Sequence, residues 1–372
     1  MKAQYYNFFF LTVFQLGILA LSFAGTTDPI ASSLFDYLVQ EEVVEMELST
    51  DMSLLLDENN SGADYQAAKL TFSTLTHGEE QWDFSLKPRG KYRLRICDFP
   101  PLKFNFSKKD LAARGFDAFD KLKLVTHCDD DRLEGQEKLL REYLVYKMYE
   151  TITPLSFRVH LIRIRYVDTS GKMSSFKRYA FLLEDVDELV ARIGSTECED
   201  CLSPAPEQIN REAENIQAVF QYMVGNADYS LALNRNVKLV KGSATNPGLI
   251  PVGYDFDFSG MVDATYAVPI HAFGQVSVRD RVFLGLPVED PMLERTLARF
   301  ETHHAELLDL IAAQKLLSAT VRFEMKAYLE SFYAQIADLK VVNQRRTYTQ
   351  LRQKAPTAVP DGGNPDHYGI GK

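Results

Sequence analysis

Hydrophobic and polar residues alternate in short runs over most of the first half of the chain. An alternation of period two places apolar side chains on one face of an extended segment, the pattern of a half-buried strand. The clearest run is K-L-K-L-V at Lys121–Val125. Because most connections are short, we expect antiparallel pairing. The same pattern predicts strands at Ala68–Leu75, Trp82–Leu86, Lys91–Ile96, Leu102–Phe106, Arg158–Val167 and Lys177–Leu183, and part of one within residues 43–56.

A different spacing, with apolar residues three and four positions apart, predicts the helices. It first appears at Gln136–Thr151 and returns at Pro206–Val224, which Gly225 ends. Two short strands, Val237–Val240 and Leu249–Phe258, separate these from helices at Pro291–Leu316 and Ser318–Ile336. This order predicts an α+β protein of two lobes. We expect a β-rich N-terminal lobe at about residues 40–185 and a mainly helical C-terminal lobe at about residues 186–354.

The first residues have the features of a secretory signal peptide. Lys2 supplies a positive charge, an apolar run covers Phe8–Phe23, and small residues suit cleavage after Ala24. We expect residues 1–24 to be removed and the rest to be exported to the periplasm, the cell surface or the extracellular space, with no membrane span. An uncleaved anchor is the alternative, although the run is short for a spanning helix. Residues 355–372 are expected to be a disordered tail.

Composition limits the class of partner. The chain has 372 residues, of which 46% are hydrophobic, and a formal net charge of -10. The hydrophobic fraction suffices for a folded core, and an acidic surface repels phosphate backbones, so we expect no nucleic-acid partner. Four cysteines in an exported chain permit disulfides. We expect a structural disulfide between Cys198 and Cys201, while Cys97 and Cys128 form either a second bridge or two buried thiols.

Two aspartates interrupt an aromatic run in Y-D-F-D-F-S-G, at Tyr254–Gly260. If this stretch continues the strand Leu249–Phe258, Asp255 and Asp257 share one face and the aromatic residues share the other. Two carboxylates about 7 Å apart along a strand can converge on one hard cation. The alternative is a half-exposed strand whose aspartates are simply solvated.

A second polar cluster lies upstream, in G-N-A-D-Y-S-L-A-L-N-R-N. Asn and Asp are common in ordinary loops, so the cluster alone is weak. Its position matters more, because a loop aspartate, a later asparagine, a hairpin and a second carboxylate segment form a known order for phosphoryl transfer. In that chemistry the loop aspartate, here Asp228, orients or deprotonates the hydroxyl nucleophile, and the asparagine and the second aspartate hold a metal ion.

These motifs, together with L-K-F-N-F, K-L-K-L-V, R-E-Y-L-V-Y-K-M-Y and R-Y-A-F-L-L-E-D-V-D, resemble the CotH-type spore-coat kinase family over roughly Arg89–Gly260. The resemblance implies a two-lobed, atypical protein-kinase-like fold that uses ATP with Mg²⁺ or Mn²⁺ and phosphorylates protein hydroxyls. It implies that Asp228 is the catalytic aspartate. Asn236, with Asn234 as second choice, and Asp255 would bind the metal, and Asp257 would assist or bind a second ion.

The resemblance also implies a nucleotide site. Glu184 and Asp185 would lie in the segment that joins the lobes, where backbone groups meet the adenine. An ion pair is expected between Glu142, or Glu137, and a lysine. Lys103 is preferred for it, with Lys121 and Lys123 as competitors. The family's pattern is incomplete, because the chain has no G-x-G-x-x-G loop and the Arg89–Arg93 turn is the only basic, glycine-containing substitute.

Two other functions remain open at this point. A non-catalytic surface protein could use the aspartate pair to bind Ca²⁺ or a partner. A carbohydrate-active hydrolase could use Asp228 and Asp255 as its two carboxylates, which such enzymes place across a cleft.

Overall fold

The computed structural model describes residues 33–40, 43–57, 64–74 and 78–342. The expected signal peptide (1–24) and the expected tail (355–372) lie outside these residues. The strands in the described part are β1 (Val44–Thr50), β2 (Gln66–Thr74), β3 (Gly78–Pro88), β4 (Leu102–Asn105), β5 (Lys121–Val125), β6 (Val159–Asp168), β7 (Phe176–Leu183), β8 (Thr196–Glu197), β9 (Val237–Lys241) and β10 (Leu249–Gly253).

The first seven strands form a closed barrel in the order β1-β2-β3-β4-β5-β7-β6. All neighbours are antiparallel except β1 and β6, which pair in parallel from Val44↔Ile162 to Thr50↔Asp168 and close the barrel. Apolar side chains alternate inward along the strands, as in β5, where Leu122 and Leu124 are buried and the flanking lysines lie on the outer face. A closed barrel leaves no unpaired strand edge.

This barrel overturns the expected two-lobed, kinase-like fold. The alternation of apolar residues predicted the individual strands, but it did not predict that β6 returns to β1. Because β6 pairs with both β7 and β1, the strands form a closed mixed barrel instead of an all-antiparallel lobe. A minor sheet of three strands, in the order β10-β9-β8, lies outside the barrel.

The helices in the described part are α1 (Leu34–Leu38), α2 (Met52–Leu55), α3 (Arg93–Ile96), α4 (Lys108–Ala113), α5 (Arg132–Ile152), α6 (Val186–Arg192), α7 (Arg211–Val224), α8 (Asp290–Thr302), α9 (His304–Ala313) and α10 (Ala319–Val342). α5 begins at an N-cap, Asp131, whose carboxylate accepts the backbone N–H groups of Leu133 and Glu134. α7 is capped by Asn210 and ends at Gly225, which adopts φ 69°.

Two predicted strands differ from the structure. Residues 91–96 form a turn and the short helix α3 instead of a strand. Their alternation predicted an apolar face that included Ile96, but Ile96 is 38% exposed and Arg93 is the buried residue. β10 ends at Gly253, so Asp255 and Asp257 lie just after a strand and not within one.

Aromatic rings hold the segment after β10 against two helices. Phe256 is fully buried, and its ring lies 4.8 Å from that of Tyr146 and 5.6 Å from that of Phe220. Tyr149 stacks on Phe220 at 4.4 Å. This cluster joins α5, α7 and the chain after β10, and therefore fixes where Asp255 and Asp257 lie.

Both cysteine pairs form disulfides. The expected bridge between Cys198 and Cys201 is confirmed. Cys97 and Cys128 form a second bridge and are not two buried thiols. The second bridge ties the end of α3 to the segment just before α5. Among the described residues, no helix is both long and apolar enough to cross a membrane.

Candidate functional site

A buried arginine lies at the centre of three carboxylates. Arg93 is 5% exposed, and its Nε donates to Asp257 Oδ2 at 2.9 Å. Its Nη2 donates to both carboxylate oxygens of Glu142 at 3.0 Å and to Asp255 Oδ1 at 3.1 Å. We call Glu142, Asp255 and Asp257 the acidic triad. One carboxylate oxygen from each lies within 4.8 Å of the others.

The backbone at Asp255 is unusual. Asp255 has φ 61°, in the left-handed region that few residues other than glycine occupy. Its N–H donates to the Tyr146 hydroxyl at 2.7 Å, and Arg93 holds its carboxylate. Aspartate is one of the residues that tolerate this conformation, so the turn brings Asp255 and Asp257 to the same guanidinium without any strand alternation.

The three carboxylates differ in exposure. The side chains of Glu142 and Asp257 are each 5% exposed, whereas that of Asp255 is 41% exposed. Asp257 also accepts a hydrogen bond from the Tyr266 hydroxyl at 2.9 Å. Burial raises the pKa of the Glu142 carboxyl above its ordinary value, although Arg93 lowers it. Asp255 is therefore the triad member that solvent reaches.

Asp228 and Asn236 form a second group in the loop between α7 and β9. Asn236 Nδ2 donates to the Asp228 carboxylate at 2.9 Å, and Arg235 lies 3.3 Å from the other carboxylate oxygen. Asp228 N–H donates to the Asn226 side chain at 2.9 Å, which fixes the start of the loop. Both side-chain hydrogen bonds of Asn236 are donated by Nδ2, and within the described part of the chain its Oδ1 atom accepts none.

Electrostatics connect this loop to the triad. Burial, with smaller contributions from the negative charges of Asp257 and Asp255, raises the pKa of Asp228 to about 6 against the attraction of Arg235. A carboxylate whose pKa lies near neutrality is suited to accept a proton. The sequence-based grouping of Asp228, Asn236, Asp255 and Asp257 thus corresponds to one region of the structure.

Three lysines lie side by side on the outer face of the barrel. Lys87, Lys103 and Lys123 occupy directly opposite positions on β3, β4 and β5. Directly opposite residues have Cβ atoms about 5 Å apart, and like charges at such positions destabilise a sheet. We call these residues the lysine row. Such a row costs stability unless anions neutralise it, and Asp185 supplies one of them at Lys123.

One end of the lysine row approaches the triad. Lys123 pairs with Asp185 at 3.1 Å and lies over the Phe157 ring at 5.5 Å. Tyr254 also packs against that ring, at 6.0 Å between centroids, and it directly precedes Asp255. Burial lowers the pKa of Lys123 to about 8, although Asp185 opposes the shift. Lys123 and the residue that directly precedes Asp255 therefore pack against the same aromatic ring.

The remaining predicted residues have other neighbours. Glu142 makes its ion pair with Arg93, whereas Lys103 lies between Lys87 and Lys123. Glu184 is fully buried, and both of its carboxylate oxygens are bound by Arg158 and Arg192. Apart from its place in a basic, glycine-containing turn, nothing in the sequence pointed to Arg93 as a site residue.

A divalent cation suits part of this donor set. Carboxylate and amide oxygens are the ligands that Mg²⁺, Mn²⁺ and Ca²⁺ prefer. Arg93 already binds the oxygens of Glu142 and one oxygen of Asp257, so those groups are committed within the protein. Within the described part of this donor set, Asp255 Oδ2, Asn236 Oδ1 and Asp257 Oδ1 accept no hydrogen bond, and of the two aspartates only Asp255 is well exposed, at 41% against 5% for Asp257.

No protein-family model and no curated protein matches this chain.

Proposed function

We propose that this protein binds a nucleoside triphosphate together with a divalent cation and transfers a phosphoryl group to a protein hydroxyl. The observation that supports this is that Lys123, at one end of the lysine row, and Tyr254, which directly precedes Asp255 of the acidic triad, pack against the same Phe157 ring. A metal–triphosphate ligand carries both kinds of charge, a cation that needs carboxylates and phosphates that need ammonium groups. Few other ligands would need both surfaces at once.

In this proposal the residues have separate roles. Asp255 and Asn236 hold the cation, which would neutralise charge on the phosphates when bound. Lys103 and Lys123 bind the phosphate oxygens. Asp228 accepts the proton of the attacking hydroxyl. The hydroxyl oxygen forms a bond to the γ-phosphorus while the bond from that phosphorus to the β–γ bridging oxygen breaks, and the nucleoside diphosphate leaves.

A thermal-shift titration of the purified protein tests the binding step. Mn-ATP at millimolar concentration should raise the melting temperature, because a ligand that binds the folded state stabilises it. Asp255→Ala should abolish this increase. Lys103→Met should lower the affinity for Mn-ATP about tenfold or more, since a lost charge-assisted contact costs about 1.5–3 kcal/mol. Asp83→Ala and Lys108→Met change side chains that are 86% and 63% exposed and serve as matched controls.

Transfer itself is measured with radiolabelled ATP and a hydroxyl-bearing acceptor protein. Label should reach the acceptor with the unaltered protein and not with Asp228→Asn. The proposal fails if neither a nucleotide-dependent shift nor transfer is seen.

A non-catalytic protein is the second candidate, and Arg93 favours it, because an internal cation already balances part of the triad. Stabilisation by Ca²⁺ alone, without any effect of nucleotide, would select this candidate.

A further inference from the structure

Arg93 makes an unusual set of contacts for a buried side chain. Its guanidinium donates to carboxylates from two distant segments, α5 and the turn after β10. Burial disfavours its charge, but attraction to Asp257 and Glu142 outweighs this effect and raises the pKa of Arg93 above its ordinary value. A permanently charged group therefore lies where three carboxylates would otherwise repel one another.

Two structural features hold Arg93 in this position. The Tyr92 ring packs at 5.5 Å from Phe258 and at 6.3 Å from Tyr266, on the side of the turn after β10. On the other side, the Cys97 N–H donates to the Arg93 carbonyl at 3.0 Å, and Cys97 is bridged to Cys128 just before α5. The short helix α3 is thus fixed to both segments whose carboxylates Arg93 binds.

The contacts divide the triad into two parts. Glu142 and Asp257 are almost fully buried, and Arg93 with Tyr266 supplies their donors. Asp255 and Asp257 each give one oxygen to Arg93, but the side chain of Asp255 is 41% exposed, whereas that of Asp257 is 5% exposed. An arriving cation therefore meets one available carboxylate and not three.

We propose that Arg93 is a positioning residue, an internal cation that holds Glu142 and Asp257 in place of a metal ion and leaves Asp255 as the single triad carboxylate open to an external ligand. The proposal goes beyond the proposed function, because it concerns how many cations the triad accepts. It depends on the proposed function only for the identity of the external ligand. Its consequence is that the protein takes up no second ion at Glu142 and Asp257 while Arg93 is present.

The test is a Mn²⁺ titration of the full chain, with free Mn²⁺ followed by electron paramagnetic resonance. Arg93→Met leaves the buried carboxylates without a cation, so this variant should bind one more Mn²⁺ per chain than the unaltered protein. Its melting temperature should also rise more steeply with Mn²⁺. Arg93→Lys keeps a cation and should restore the original stoichiometry. Arg95→Met, in the same helix at an exposed position, is the matched control and should behave like the unaltered protein.

A purely structural role for Arg93 would change stability without changing the number of ions bound. If Arg93→Met folds and binds no additional Mn²⁺, the proposal is overturned. If it does not fold alone, recovery of the fold by Mn²⁺ or Ca²⁺ supports the proposal. If no ion restores the fold, the test uses the double variant Arg93→Met/Glu142→Gln, which removes both partners of the ion pair. A folded double variant supports the charge role of Arg93, and an unfolded double variant overturns it.

Failure of the proposed function gives a different result. In that case the unaltered protein shows no response to Mn-ATP, while Arg93→Met binds one additional Mn²⁺. This pair of results would refute the phosphoryl-transfer proposal and support the role of Arg93.

Discussion

His127 is a buried histidine, and we predict that its protonation weakens the fold at acidic pH. The residue is 3% exposed and stacks on Phe99 at 5.1 Å, with Phe176 edge-on at 6.2 Å. Neither ring nitrogen has a hydrogen-bond partner within the described part of the chain. Glu134 and Lys138 line the small cavity beside the ring. A charged imidazolium in this position would lose its hydration without a compensating hydrogen bond.

The size of the effect follows from the pKa. Burial and, to a smaller extent, the charge of Arg178 lower the pKa of His127 from 6.5 to about 4, while Asp98 opposes them. Asp130 Oδ1 lies 4.0 Å from His127 Nε2, but the Asp130 side chain is 77% exposed, so solvent screens its attraction for a protonated imidazole. The unfolded chain takes up the proton as the pH falls below 6.5, and the folded chain only near 4. The stabilisation is therefore complete above pH 6.5 and is lost between 6.5 and 4, by about 3 kcal/mol.

Urea unfolding at pH 7 and pH 4 measures this loss. His127→Phe keeps an aromatic ring against Phe99 and cannot be protonated, so its free energy of unfolding should fall with pH by about 3 kcal/mol less than that of the unaltered protein. Phe176→Leu is the control, because it disturbs the same cluster without removing a titrating group. It should lower stability equally at both pH values. Equal pH dependence in His127→Phe and the unaltered protein would refute the reasoning.

Two further predictions concern covalent and conformational constraints. Replacing both cysteines by serine should cost about 4 kcal/mol of unfolding free energy at Cys97–Cys128, which spans 31 residues, and about 2 kcal/mol at Cys198–Cys201, which spans 3, because longer loops lose more entropy on closure; equal costs in urea unfolding would contradict this explanation. Gly225→Ala should lower the melting temperature more than Gly194→Ala: both glycines have positive φ, but only at Gly225 would the added Cβ lie 2.0 Å from the Tyr328 hydroxyl. Similar losses in the two variants would show that the contact with Tyr328 is unimportant.

The local part of the fold was predictable from the sequence. β5 spans Lys121–Val125 in both the prediction and the structure, because its alternation continues to both ends of the strand. α7 could be predicted because Gly225 ends it, and a glycine at that position supplies the left-handed cap that other residues resist. In both elements the deciding interactions lie within a few residues.

The closure of the barrel was not predictable in this way. β1 and β6 pair although Val44 and Ile162 are more than a hundred residues apart, and a period-two pattern contains no information about which strand is the neighbour. Both the order of the elements and the resemblance of the motifs predict two lobes, because each is compatible with more than one arrangement of strands. The lysine row was hidden for the same reason. Each lysine is an ordinary outward residue in its own strand, and only the registers of β3 with β4 and β4 with β5 align them.

The sequence correctly grouped Asp255 with Asp257, but the strand geometry on which that prediction depended is wrong. Asp255 and Asp257 were grouped because a strand would place them on one face, but β10 ends at Gly253. They meet at Arg93 because Asp255 adopts a left-handed turn. An aspartate two residues after a glycine at the end of a strand is compatible with such a turn, and the sequence therefore carried a weak signal for it. Arg93 stood out only as part of the basic Arg89–Arg93 turn, since its partner Glu142 is 49 residues away and Asp257 is 164 residues away. A buried charge is stable only with its partners in place. Because the partners of Arg93 are distant in sequence, the local alternation of residues 91–96 places Arg93 on the polar face, although it is buried at the centre of the site.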